Sequence, residues 1–265
     1  MNPTSKKLSQ YQLGAGPNTV LLLHGFLGSG KNLSTLAKKI AELHPSLSLI
    51  VPDLTGHGTS PGLPKHASLT DLARDVLALC QDRPGPYWVI GHSLGGRVAL
   101  RLSELSPKLA RVALLDISPS PMLLTQSDTH LVTKILLRAP SASPTREPFR
   151  VYFREAGLSE ALNSWLLMNL TLRDEQYVWR IDREALAGLL DNANQEDLWS
   201  PAEALARQDK LWSINGEESP YVSHEDALRL FQVGAHVKAL PNAGHFVHVD
   251  ALPALLIALS DFFTL

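Results

Sequence analysis

The sequence predicts an α/β protein built on a mostly parallel, doubly wound sheet. Two observations carry that expectation. Short apolar runs alternate with segments of helical periodicity along most of the chain, the pattern of βα units. Several of the runs, such as Val20 to Leu23, Trp88 to Ile90 and Val112 to Leu115, are apolar at every position, as strands buried on both faces must be. Polar residues with chemical potential then fall where these runs end, which is where open α/β sheets bind their ligands.

In chain order, residues 8–13 alternate weakly and read as an edge strand, and Thr19 to Leu23 reads as a central one. Leu33, Leu36, Ala37, Ile40 and Ala41 mark one helix face. Ser48 to Val51 is the next strand, and Asp53 to Ser60 has turn chemistry at nearly every position. Within that loop Asp53 and His57 suit short bracing hydrogen bonds. Residues 68–81 form a helix that Ser68 or Thr70 can cap. Cys80 lies on its apolar side as a core thiol. From 120 to 205 strand signals disappear, prolines break up short helices, and Trp165, Trp179 and Trp199 gather beside Leu166, Leu167 and Met168. This stretch is expected to be an all-helical cap or lid insertion, with Trp165, Met168 and Trp179 lining an apolar substrate pocket. The core resumes with a strand and turn over 210–216, a helix over 223–231, a strand over 236–240 and a closing helix over 250–263. The domain division is therefore 1–119 with 206–265 for the core and 120–205 for the insertion.

Composition narrows the function. The 265 residues suffice for a full core, and 45% hydrophobic with 19% charged residues is ordinary for a globular chain. A net charge of −2 gives no basic excess, which argues against nucleic acid. No apolar run has transmembrane length and no signal-peptide core follows Lys7, so no membrane insertion is expected. One cysteine makes no internal disulfide, which fits a reducing, cytoplasmic setting. The sequence carries no signal of oligomeric state.

The chemistry concentrates at Gly91-His92-Ser93-Leu94-Gly95-Gly96, a G-x-S-x-G turn between a buried strand and a good helix. Its glycines relieve a strained serine, and Ser93 faces the positive end of the following helix. Gly25 to Asn32 reads G-x-x-x-x-G-K-N, but a phosphate loop needs Ser or Thr where Asn32 stands. His24-Gly25-Phe26 instead suits an oxyanion hole, with the Phe26 and Leu94 N–H groups as donors. Asp116 ends the strand before the insertion. His245, with His248 as rival, lies on the loop after the last strand. The order Ser93, Asp116, His245 supplies a nucleophile, an orienting carboxylate and a base. Arg97, just after the glycine pair, reads as a solvated helix-surface residue.

These motifs, with Asp53-x-x-Gly56-x-Gly58-x-Ser60 and Ala243-Gly244-His245, resemble the α/β-hydrolase superfamily across the whole core. Asp116-Ile117-Ser118-Pro119, Tyr177-Val178-Trp179-Arg180 and Ser219-Pro220-Tyr221-Val222 are similar to YbfF-type carboxylesterases and their mitochondrial relatives. The resemblance implies the α/β-hydrolase fold with a helical lid, and hydrolysis of carboxylic esters, or thioesters, of small to medium acyl chains through an acyl-enzyme. It implies Asp116 as the acid with Ser219 in support, because Ser219 occupies the slot where many superfamily members keep the acid; Glu217 or Glu218 is the rival. Neither metal nor organic cofactor is implied, and a small-molecule ester or thioester is the expected partner. Two alternatives differ in class: triad-dependent elimination of the menaquinone-biosynthesis type, and a non-catalytic binding protein on the same fold.

Overall fold

The computed structural model describes residues 7–83, 85–122 and 128–264. The strands are β1 (Gln10–Leu13), β2 (Asn18–Leu23), β3 (Leu47–Pro52), β4 (Tyr87–His92), β5 (Leu109–Leu115), β6 (Ala142–Ser143), β7 (Leu170–Arg173), β8 (Gln176–Trp179), β9 (Leu211–Gly216) and β10 (His236–Leu240). The helices are α1 (Ser34–Leu43), α2 (Leu69–Ala78), α3 (Leu94–Leu105), α4 (Asp128–Arg138), α5 (Glu147–Glu155), α6 (Glu160–Leu167), α7 (Arg183–Gln195), α8 (Trp199–Ala206), α9 (His224–Gln232), α10 (Val247–Asp250) and α11 (Leu252–Ala258). Among the described residues, no helix is long and apolar enough to cross a membrane.

Seven strands form the main sheet in the order β1-β3-β2-β4-β5-β9-β10. Only the edge strand β1 runs antiparallel, against β3. The continuous apolar runs divide by their period of two. Leu21, Leu23, Val89, Val112 and Leu114 face a core shared with Leu72, Val76 and Val98 of α2 and α3. Val20, Leu22, Trp88, Ile90, Ala113 and Leu115 face the opposite core with Leu36, Ile40 and Leu255. The chain goes from β2 outward to β3, then crosses back to place β4 on the other side of β2. The loops after β2 and β4 therefore diverge and leave a crevice at the carboxyl edge.

The helix ends follow side-chain chemistry. Ser68 caps α2 by accepting from the Asp71 N–H, while Asp71 Oδ2 accepts from the Ser68 N–H at 3.0 Å, a reciprocal capping box. At the C-terminus the helix expected over 250–263 is shorter, α11 spanning Leu252–Ala258, and the one-turn helix α10 precedes it. Ala251 leaves helical geometry at φ −135°, and Pro253, which donates no hydrogen bond, fits the first turn of the new helix α11. Cys80 is buried at the end of α2, and burial pushes its thiol up to about 11.

Between β5 and β9 the chain makes a long excursion, and here three expectations are corrected. The segment is not all-helical: β6, β8 and β7 form a small antiparallel sheet in that order. The β7–β8 hairpin turns through Asp174 and Glu175 with φ of 46° and 60°. Positive φ at both central residues is the turn that Asn-Gly normally announces, so Asp-Glu hid it. Arg97 is not solvated. It is 1% exposed and donates to the carbonyls of Ala193 (3.1 Å), Ser118 (2.9 Å), Ser120 (3.0 Å) and Glu196, joining both strands of the excursion's neck. Burial lowers its guanidinium to about 10, so it stays charged at neutral pH. The neck is closed further by Met122 N–H to Asn194 O (2.7 Å) and Leu198 N–H to Pro119 O (2.9 Å). Beyond it, α8 packs on the core helix α3 and leads into β9, so Trp199 belongs to the core side rather than to the tryptophan group of the excursion. Its indole donates to Ser120 Oγ at 2.9 Å.

Candidate active site

The turn after β4 is held in a conformation few serines adopt, with Ser93 at φ 51° and ψ −117°. It is tied from the sheet, as the Ser93 N–H donates to Leu115 O of β5 at 3.1 Å. A Cβ on Gly91 would stand 2.3 Å from Gly95 O, and one on Gly95 2.3 Å from Leu23 O, so neither position tolerates a side chain. Leu94 opens α3, where first-turn N–H groups have no partner within the helix. Across the crevice, Phe26 follows β2 in a turn closed by Gly28 N–H to Gly25 O at 3.1 Å, with Leu27 at φ 56°.

Asp116 follows β5 at φ 53° and is fully buried. Its Oδ1 accepts from the Gly216 N–H at 2.9 Å; its Oδ2 accepts from Ser219 Oγ and, at 2.7 Å, from His245 Nδ1. A carboxylate on Nδ1 places the ring proton there and leaves Nε2 as the nitrogen with the lone pair. Glu217 and Glu218 are both exposed; the carboxylate on His245 is that of Asp116.

Ser93 and His245 both line a cavity of about 550 Å³, a size typical of small-molecule sites. Phe26 walls it from the core, and Val132 of α4 with Leu162 and Trp165 of α6 wall it from the excursion. Of the three expected pocket residues only Trp165 takes that place. Trp179 turns inward against Phe149 and Phe153, its Nε1 donating to Pro140 O at 2.8 Å. Met168, past the end of α6, is half exposed and lies off the cavity wall.

Histidines surround the site with distinct duties. His24 accepts from the Leu54 N–H at Nε2 (2.9 Å), so its Nδ1 carries the proton and donates to Gly25 O (2.8 Å), shaping the Phe26 turn. His57 is buried beside it in a T-shaped contact, and burial lowers it to about 3. Asp53 braces the same region, accepting from the Gly30 and Thr59 N–H groups, each at 2.8 Å. His248 is also buried, lowered to about 4, and shares the cavity wall rather than the bond to Asp116.

Sequence reasoning missed two neighbours of His245. His92, held neutral by burial, donates Nε2–H to His245 O at 2.9 Å. Tyr221 stacks on the His245 ring. His92 belongs to the Gly91–Gly96 turn and Tyr221 to the Ser219–Val222 stretch, but no spacing rule joins either to His245.

A strained serine at the strand–helix turn, an imidazole on a carboxylate and a mostly parallel sheet define the class. The chain belongs to the alpha/beta hydrolase family, whose model matches residues 20–258. Among curated proteins it is similar to the sn-1-specific diacylglycerol lipase ABHD11 of Danio rerio, 30% identical over 249 residues covering 89% of this chain and 76% of that protein. It is also similar to Esterase YbfF of Escherichia coli K12, 28% identical over 253 residues covering 91% of each chain. Among solved structures a marine microorganism esterase superimposes with a TM-score of 0.84 at 22% identity, covering 97% of this chain and all of that one, which speaks for the fold.

Proposed function

We propose that the protein is a serine esterase acting on carboxylic esters of small to medium acyl chains, and on thioesters by the same chemistry. The observation that carries this is the 2.7 Å bond from His245 Nδ1 to Asp116, with Ser93 in strained backbone on the same cavity. The relatives named as lipase and esterase support it.

A serine hydroxyl becomes a competent nucleophile only when a base removes its proton during attack. Ser93 Oγ adds to the ester carbonyl carbon while His245 Nε2 takes the hydroxyl proton, and Asp116 stabilises the imidazolium that results. The negative oxygen of the tetrahedral species is held by the Phe26 and Leu94 N–H groups, each donor worth roughly 3 kcal/mol. Collapse breaks the bond to the alcohol, which leaves with the proton from His245. Water then adds to the acyl-serine with His245 again as base, and the acid departs. The reaction as written uses no metal or organic cofactor. Helices α4 and α6 act as the lid over this chemistry, and a single buried thiol supports a reducing, cytoplasmic setting.

Hydrolysis of p-nitrophenyl esters from C2 to C12 tests the proposal, wild type beside Ser93→Ala, with fluorophosphonate labelling of each. Turnover of short esters and labelling, both lost in the variant, are expected. Turnover that survives Ser93→Ala would remove the serine from the mechanism. Labelling without ester turnover would favour thioesters or the elimination chemistry.

A further inference from the structure

We propose that Asn169 is a positioning residue for the oxyanion loop: from the excursion it holds the Leu27 carbonyl, and so keeps the Phe26 N–H aimed at the reacting oxygen. This rests on the esterase reading above. Asn169 lies between α6 and β7, 6% exposed, at a corner fixed on both sides. Its N–H donates to Leu166 O at 3.0 Å, and its carbonyl accepts from the Arg180 N–H at 2.8 Å. From this corner its Nδ2 donates to Leu27 O at 3.0 Å, a buried bond spanning 142 positions.

The loop needs such a hold. Leu27 is a non-glycine residue at φ 56°, a conformation that persists only where the surroundings over-determine it. The peptide joining Leu27 to Gly28 is gripped at both ends, its N–H by Gly25 O and its carbonyl by Asn169. The Gly25 end is held from the core through His24. The Leu27 end is held from the excursion. Phe26 lies between these two anchors. Oxyanion donors work only within a few tenths of an ångström of their target, so releasing one anchor shifts the donor and leaves the nucleophile and base in place.

A second buried asparagine supplies the control. Asn163 sits six residues earlier, on α6, and donates Nδ2–H to Arg150 O at 2.9 Å, a bond wholly within the excursion. It matches Asn169 in residue type and burial but does not reach the loop.

The test compares Asn169→Ala with Asn163→Ala on p-nitrophenyl butyrate, alongside thermal melts and amide hydrogen exchange at Gly28. Asn169→Ala should lower kcat roughly ten- to a hundredfold with KM within about twofold. Affinity for a trifluoromethyl ketone, which forms the same oxyanion, should fall by a similar factor, and Gly28 exchange should quicken. Asn163→Ala, even with an equal loss of Tm, should leave kcat and Gly28 exchange near wild type. Asn169→Asp, which keeps the shape and loses the donor, gives the same comparison where the alanine variant does not fold. Unchanged kcat in both Asn169 variants, unchanged Gly28 exchange, or an equal kcat loss in Asn163→Ala would each overturn the proposal. Failure of the esterase reading shows separately, as wild-type turnover that is absent or indifferent to Ser93→Ala, and Gly28 exchange still decides whether Asn169 holds the loop.

Discussion

The Tyr221 ring stacks on the His245 imidazole with centroids 3.8 Å apart and planes 19° from parallel. Its hydroxyl is bonded to Thr129 Oγ1 of α4, so one side chain touches both the proposed base and a helix over the cavity. An aromatic face beside an imidazole limits its rotation and favours the imidazolium that the proposed attack would form. Tyr221→Phe keeps the stack and should retain near-wild-type kcat. Tyr221→Ala removes it and should cost roughly fivefold, the kinetic equivalent of about 1 kcal/mol. Equal kcat for the two variants would show that the ring does not steady the base.

Asp116 and the exposed pair Glu217 and Glu218 make opposite predictions. Asp116→Asn should lower kcat about 10³- to 10⁴-fold by favouring the wrong His245 tautomer. Glu217→Gln with Glu218→Gln should leave it within about twofold. Ser219→Ala, which removes one donor from a buried carboxylate, should cost about 1–2 kcal/mol of stability. Steady-state kinetics and urea melts of the purified variants separate these outcomes.

Arg97 satisfies four carbonyls that meet at the neck. Truncation to Ala would remove the donor from all four and strand the buried carbonyls of Ala193 and Ser118, so Arg97→Ala should lose about 3 kcal/mol or more of unfolding free energy. Arg97→Lys should recover little, because an ammonium cannot reproduce the planar fork of donors. A urea midpoint for Arg97→Lys equal to wild type would contradict this.

Acid sensitivity should follow from buried imidazoles. Burial lowers His57 to about 3 and His248 to about 4, from an ordinary value of 6.5, and lowers His24 and His92 in the same direction. Below pH 6.5 the unfolded chain takes up protons that these native rings refuse, so stability falls as pH falls. The loss should run from 6.5 down to about 4 for His248 and to about 3 for His57, at about 1.4 kcal/mol per pH unit for each ring. Above 6.5 these groups contribute no slope. Urea midpoints at pH 8, 7, 6 and 5 measure it, and His57→Gln should make the decline shallower. A flat profile between pH 7 and 5 would mean that the rings charge within the folded protein.

What could be read from the sequence was local. The strands after which Phe26, Ser93 and Asp116 fall announce themselves because burial on both faces forces unbroken apolar runs, and the Ser93 turn because its glycines are adjacent in the chain. What escaped depends on contacts between distant segments. Arg97 stands in an ordinary helical context, and only the return of the chain at residues 193–196 buries it. Trp179 and Trp165 are alike in residue type and both half-buried; one packs against Phe149 and the other faces the cavity. Asn169 carries no local signal, since its partner Leu27 lies 142 positions away in the chain.

The excursion leaves and rejoins the sheet through one gate, where Pro119 meets Leu198 and Met122 meets Asn194. Ends that close together make the segment a candidate for transplantation: a foreign cap of different length could be spliced at the gate with the seven-stranded scaffold untouched, giving new acyl selectivity on an old base. The Leu27 carbonyl sets the condition for such a graft. A donor cap that brings no amide to meet it would be housed by the scaffold, yet would leave the loop after β2 free to relax.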